Sequence, residues 1–173
     1  PRLKYTHPAR FNRQLGMGFT SAAPGSPEER LFIMSPEFGL GQVQMPSLNV
    51  AQTGKHAGAG AELTGGADAR LFFYAAGERQ LSEVDMGTFA LKPVHTFSSI
   101  QGSGAWAFAR YAGRFYIFTS IDGWTPTRTT EYDPKTNVEN VRDASIGFTV
   151  VGAGQSILAP PPDTSGEISG TFP

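Results

Sequence analysis

The chain has 173 residues, enough for one domain with its own core, and its 14 Lys or Arg against 15 Asp or Glu leave a formal net charge of −1. That balance, with basic residues scattered rather than clustered, excludes the basic stripe of a nucleic-acid binder. Cysteine is absent, which excludes disulfides, thiolate metal sites and cysteine nucleophiles, and no run of about eighteen apolar residues is long enough to span a bilayer.

Twenty-one Gly and 13 Pro beside 13 Phe and 5 Tyr suit an all-β chain of short strands and tight turns. Residues 1–15 are basic and are expected as an N-terminal arm or outer strand, with Leu3 and Tyr5 in its extended part. Gly16-Met17-Gly18 and Phe19 open a first strand. Residues 21–29 form a polar loop, and 30–34 (Arg-Leu-Phe-Ile-Met) form a second strand. Residues 35–41, with Pro36 and Phe38, read as a connecting loop before a third strand ending at Val43 and Gln44. Residues 49–60 are polar and Gly-rich with no aromatic, so the outer strand of this first unit is expected to be weak or missing.

The second unit is cleaner. Leu63 and residues 71–74 make a hairpin, 81–86 a third strand and 91–97 a fourth, whose Pro93 is tolerable on a sheet edge. In the third unit Trp106, Phe108 and Arg110 alternate with Ala, and a Gly-containing break at Ala112 and Gly113 leads into 114–119. A loop holding Asp122, Gly123 and Trp124 follows, then 127–132, a turn at 133–137 and a polar edge strand at 138–142. Residues 155–159, with Ile157 and Leu158, match the first strand of a further unit. The Pro-rich tail of 160–173 is expected to run on as an extended arm.

Three markers recur in the same order. A Gly-x-Gly opens copies at Gly16, Gly58, Gly102 and Gly152. An Arg-led aromatic strand follows at Arg30, Arg70 and Arg114, and a third-strand end closes each copy at Val43, Val84 and Tyr132. The period of about forty residues and four strands is that of one propeller blade. The expected fold is all-β, with three full four-stranded blades of roughly 16–57, 58–101 and 102–151, then an inner strand at 152–159 and part-blades at the ends. A β-sandwich is the alternative, since strand spacing of this kind fits both.

The turn Tyr132-Asp133-Pro134-Lys135-Thr136-Asn137 resembles the one that joins the third and fourth strands of kelch-like propeller blades. It departs from that pattern in having no Gly-Gly doublet after Phe118 and in carrying Val138 where such blades carry Trp. The resemblance is to a divergent kelch-like propeller of secreted bacterial type. It implies a central channel and binding loops at the rim, and no particular chemistry.

No catalytic constellation stands out. His7, His56 and His95 are far apart in sequence, no two acids pair as acid and base, and no metal-ligand spacing or bound cofactor is indicated. Asp85 and Asp133 recur at equivalent positions and are expected to cap turns. The ligand-binding candidates are Trp124, Phe38, Tyr111 and Asp122, because aromatic faces on rigid loops bind sugar rings and anchor protein partners. Trp106 and Phe115 are expected in the core, and Phe32, Phe72 and Phe115 at corresponding buried positions. Leu3, Tyr5, Ile157 and Leu158 are the assembly candidates, since an unpaired terminal strand invites another, from the same chain or a neighbour. Three function classes follow. The first is a non-catalytic extracellular or surface module recognising carbohydrate or protein. The second is a homo-oligomeric structural subunit joined at its termini. The third, an enzyme using the channel mouth, has no residues assembled for it.

Overall fold

The computed structural model describes residues 15–37, 39–54, 60–102 and 104–157. Twelve strands and no helix occupy them. Each group of four consecutive strands makes its own antiparallel sheet. The first holds β1 (Gly16–Ser21), β2 (Glu29–Ser35), β3 (Gly39–Gln44) and β4 (Asn49–Gly54). The second holds β5 (Ala61–Gly65), β6 (Leu71–Ala75), β7 (Gln80–Val84) and β8 (Leu91–Thr96), and the third β9 (Ala105–Tyr111), β10 (Arg114–Ser120), β11 (Arg128–Asp133) and β12 (Val138–Asp143). Strand order within each sheet is sequential, and the first strands β1, β5 and β9 lie beside one another. This is a propeller-like arrangement rather than a two-sheet sandwich.

Tight turns make the sheets. Ala112 and Gly113 both take positive φ (48° and 78°), the conformation of the two-residue hairpin turn whose twist matches its strands. Asp85 Oδ1 accepts hydrogen bonds from the Gly87 and Thr88 amides, and Asp133 Oδ1 accepts one from the Lys135 amide, so the repeated aspartates do cap turns.

The core lies between sheets. Phe32, Met34, Leu40, Leu63, Leu71 and Phe73 pack between the first and second. Phe72, Tyr74, Phe97, Phe108, Phe115 and Ile117 pack between the second and third. Phe32, Phe72 and Phe115 are all buried, as expected, but they do not occupy corresponding positions. Side chains alternate along a strand. Phe32 and Phe72 therefore turn toward the next sheet, whereas Phe115 turns back toward the preceding one, the position held by Leu71 in the second sheet.

Three expectations are corrected. The outer strand of the first unit is present as β4: it needs no aromatic, because a half-exposed edge strand is held by its ladder to β3, with Thr53 Oγ1 also donating to the Leu40 carbonyl. Gly39, Leu40 and Gly41 belong to strand β3 and not to a loop. Residues 155–157, the described part of the segment expected as an inner strand, are in no strand, although Ile157 is buried.

The Gly-x-Gly copies also differ from one another. A methyl at Gly16 would overlap the Ala61 carbonyl, and one at Gly18 would lie 2.9 Å from Leu63 atoms, so in β1 the glycines permit close approach to β5. Among the described residues, nothing lies within 4 Å of a methyl placed on Gly152 or Gly154.

Candidate functional site

The loop between β10 and β11 is tied to itself and to the chain that follows β12. Asp122 Oδ1 accepts from the Trp124 amide (2.8 Å) and the Thr125 amide (2.6 Å), and Ser120 Oγ accepts from the Gly123 amide (3.1 Å). The hydrogen bonds from the Thr125 and Trp124 amides hold the Asp122 carboxyl down at about 2. Gly104 N donates to the Ser120 and Ile121 carbonyls at the loop's base.

Buried Thr127 then anchors the segment 146–150. Its amide donates to the Phe148 carbonyl (2.8 Å), its carbonyl accepts from the Ile146 amide (3.0 Å), and its Oγ1 accepts from the Val150 amide (2.8 Å). Thr149 Oγ1 lies 3.4 Å from the Trp124 and Thr125 carbonyls and donates toward both. The backbone is thus fixed while the large side chains are not covered: Trp124 is 88% exposed and Phe148 63%, with Ile121 and Val151 also exposed. An exposed indole on a braced loop, with a phenyl group on the hydrogen-bonded neighbouring segment, is a surface suited to docking.

The sequence candidates do not all gather there. Trp124 and Asp122 share the loop. Tyr111 is exposed but stands at the other end of the sheet. It pairs with Arg114 at the start of β10, whereas Trp124 lies beyond Ser120 at its end. Six residue steps of extended chain put them roughly 20 Å apart. Phe38, Leu3, Tyr5 and Leu158, like His7 and His56, lie outside the described residues. Trp106 is half-buried against the core between the second and third sheets.

Two polar constellations escaped the sequence reading. In the first, His95 on β8 and Glu139 on β12 meet at 2.7 Å between Nε2 and Oε1, and both side chains are largely buried. The His95 ring stacks on Tyr132 with centroids 4.1 Å apart. Glu139 also accepts from the Ser98 and Ser99 amides, each at 2.9 Å. Burial alone would raise the Glu139 carboxyl, but the hydrogen bonds from Ser99, Ser98 and His95 outweigh it and bring it down to about 2. The serines therefore serve the carboxylate. Among the described residues no hydroxyl hydrogen-bonds to the imidazole, so the group is a clamp between sheets and not a nucleophilic triad.

In the second, Arg110 on β9 makes a two-pronged pair with Asp68 (2.9 and 2.8 Å) and lays its guanidinium over the Phe72 ring at 4.9 Å. Both constellations join residues more than forty positions apart, one from each of two successive repeats, so no local spacing announces them.

One further acid is perturbed. Burial pushes Glu62 on β5 up to about 7, against weaker opposing hydrogen bonds from the Met17 and Leu63 backbone. Such a shift marks sites of proton chemistry in many enzymes. Here its ladder partner is Tyr74, and among the described residues no group of three or more His, Asp or Glu could hold a metal ion. No helix of the described residues is long and apolar enough to cross a membrane.

No protein-family model matches the chain, and no curated protein matches it. Among solved structures it is similar to the β-propeller protein TolB from Acinetobacter baumannii, with a TM-score of 0.54 at 15% sequence identity, over 78% of this chain and 33% of that one. The chain thus spans about a third of the length of that protein. At this identity the likeness bears on the fold, and the fold is β-propeller-like.

Proposed function

We propose that the chain is a non-catalytic binding module that docks a protein partner on the Trp124 loop. One observation carries this reading: Trp124 is 88% exposed on a loop whose backbone is braced from both sides. Leaving so large an apolar ring in water is costly, and covering it with a partner recovers that cost at little further loss of loop entropy. Protein is favoured over carbohydrate because the other large exposed side chains on the loop and on the segment beside it, Ile121, Phe148 and Val151, are apolar. The loop's own carboxylate, Asp122, already uses Oδ1 on the loop amides instead of offering it to sugar hydroxyls.

The kelch-like type of the repeat is supported in the third sheet, where Tyr132 Oη donates to Asn137 Oδ1 (3.0 Å) and Asn137 takes the positive φ that ends the turn. We place the module outside the cell or at its surface, the setting of the propellers it resembles. The test replaces Phe148 with a photo-reactive residue and asks which host proteins become cross-linked. Specific cross-links lost on Trp124→Ala and kept on Tyr111→Ala support the reading. Cross-links indifferent to Trp124→Ala contradict it. Glycan binding lost on Trp124→Ala would assign the same loop to carbohydrate instead.

A further inference from the structure

The junction between the second and third sheets holds buried polar atoms that its core does not use. Side chains alternate along a strand, so the third-sheet residues that face the second fall in rows across the ladder: Trp106, Thr119 and Arg128; then Phe108, Ile117 and Thr130; then Arg110, Phe115 and Tyr132. Tyr74 faces them from β6. Its ring centroid is 5.7 Å from that of Phe108 and 5.9 Å from that of Phe97, and Phe97 in turn is 5.7 Å from Tyr132. These contacts set the Tyr74 ring against the middle row, which Thr130 shares. Tyr74 and Thr130 are both fully buried, and neither Tyr74 Oη nor Thr130 Oγ1 has a hydrogen-bond partner among the described residues. In the adjoining row Arg128 is half-buried, and its Nε is likewise buried and unpartnered. Buried polar atoms are ordinarily paired, so three orphans facing one junction call for something that pairs them.

The charges point the same way. Arg79, exposed in the turn before β7, donates from one guanidinium nitrogen to the Ile100 carbonyl at 3.3 Å. Burial pushes the Tyr74 hydroxyl up and the Arg79 charge acts on it in the opposite sense, so the guanidinium is within electrostatic range of Tyr74 Oη. Among the described residues neither Arg79 nor Arg128 has a carboxylate partner. The carboxylates at this junction are engaged elsewhere. Glu83 pairs with Arg70, Asp68 with Arg110, and Glu139 with His95 and the Ser98 and Ser99 amides, while Glu62 accepts from the Met17 and Leu63 backbone. Glu78 is exposed in the same turn as Arg79 and pairs with neither arginine.

We propose that this corner of the junction binds a small free oxyanion, a phosphate or a carboxylate, with the Arg79 and Arg128 guanidiniums at its mouth and the Tyr74 and Thr130 hydroxyls donating at its floor. Both hydroxyls can donate, and guanidinium N–H groups match the oxygens of carboxylate and phosphate. Water would complete the hydroxyls; an anion completes them and answers the two cations as well. The site lies between two described sheets and does not depend on the Trp124 surface.

The test is the melting midpoint of the intact chain in sodium phosphate and in sodium acetate, each against sodium chloride at equal ionic strength and pH 7. At least one of the two anions is expected to raise the wild-type midpoint, by about 3 °C at tenfold its dissociation constant. Arg128→Gln and Arg79→Gln are each expected to weaken that response by about tenfold or more in anion concentration. Tyr74→Phe is expected to be at least as stable as wild type in chloride, because it removes a buried hydroxyl without a partner, and to respond less to the anion. No response to either anion would overturn the proposal. So would a response that the three variants share in full, which is the general effect of such salts on protein surfaces. A Tyr74→Phe chain less stable than wild type in chloride would show that the hydroxyl already has a partner, and would overturn it too.

Discussion

His95 Nε2 meets Glu139 Oε1 at 2.7 Å across the gap between the outer strands of the second and third sheets. The contact seals the outer end of that junction, as Arg110 and Asp68 seal its inner end. Because Glu139 also accepts from two backbone amides and the Ser98 hydroxyl, removing it takes the acceptor from four donors rather than one.

Glu139→Ala should therefore cost on the order of 2–3 kcal/mol in urea unfolding at pH 7. The sign of its pH dependence follows from a carboxyl lowered to about 2 in the folded chain from an ordinary 4.5. Its stabilisation is complete above about pH 4.5 and is lost as pH falls toward 2. The difference in stability between wild type and Glu139→Ala should shrink over that interval. A difference that is constant from pH 7 to pH 3 would show that the carboxylate's ionisation is not what the clamp uses.

Glu62 should behave in the opposite sense. Its folded-state carboxyl, raised to about 7, holds its proton where the unfolded chain has released it, so folding loses stability as pH rises from about 4.5 to 7. Glu62→Gln keeps the carbonyl acceptor and removes the charge. The variant is expected to be more stable than wild type at pH 8, by on the order of 2 kcal/mol, and close to it at pH 4. Equal midpoints at both pH values would place Glu62 in water.

The glycines of β1 give a contrast within one motif. Gly18→Ala should destabilise by about 1–3 kcal/mol, because its methyl lands 2.9 Å from Leu63 and the two first strands must separate. Gly152→Ala meets nothing within 4 Å among the described residues and should change the melting midpoint by no more than an ordinary surface substitution. Equal effects at the two positions would refute the close approach of β1 to β5.

Much of the fold was legible because its signals are local and repeated. The alternation of Trp106, Phe108 and Arg110 with alanine sets one face of β9, and the turn at Asp133 fixes the crossing to β12. The β4 strand was not legible, since residues 49–54 carry little beyond Val50 to mark it and its stability comes from a ladder the sequence does not display. At the candidate site, Trp124 and Asp122 could be read from one loop. Phe148 could not, because what brings it beside that loop is the backbone pairing of Thr127 with residues 146–150. Tyr111 looked equivalent by residue type, and only strand direction separates it from Trp124.

The exposure of Trp124 is the claim on which the binding reading stands, and the fluorescence of Trp106→Phe tests it most directly, because that variant leaves Trp124 as the one indole of the chain. The expected emission is that of indole in water, with quenching by iodide close to that of the free amino acid and little loss of stability. A blue-shifted emission protected from iodide would mean that the ring folds back onto the sheet, and would contradict the docking surface proposed for it.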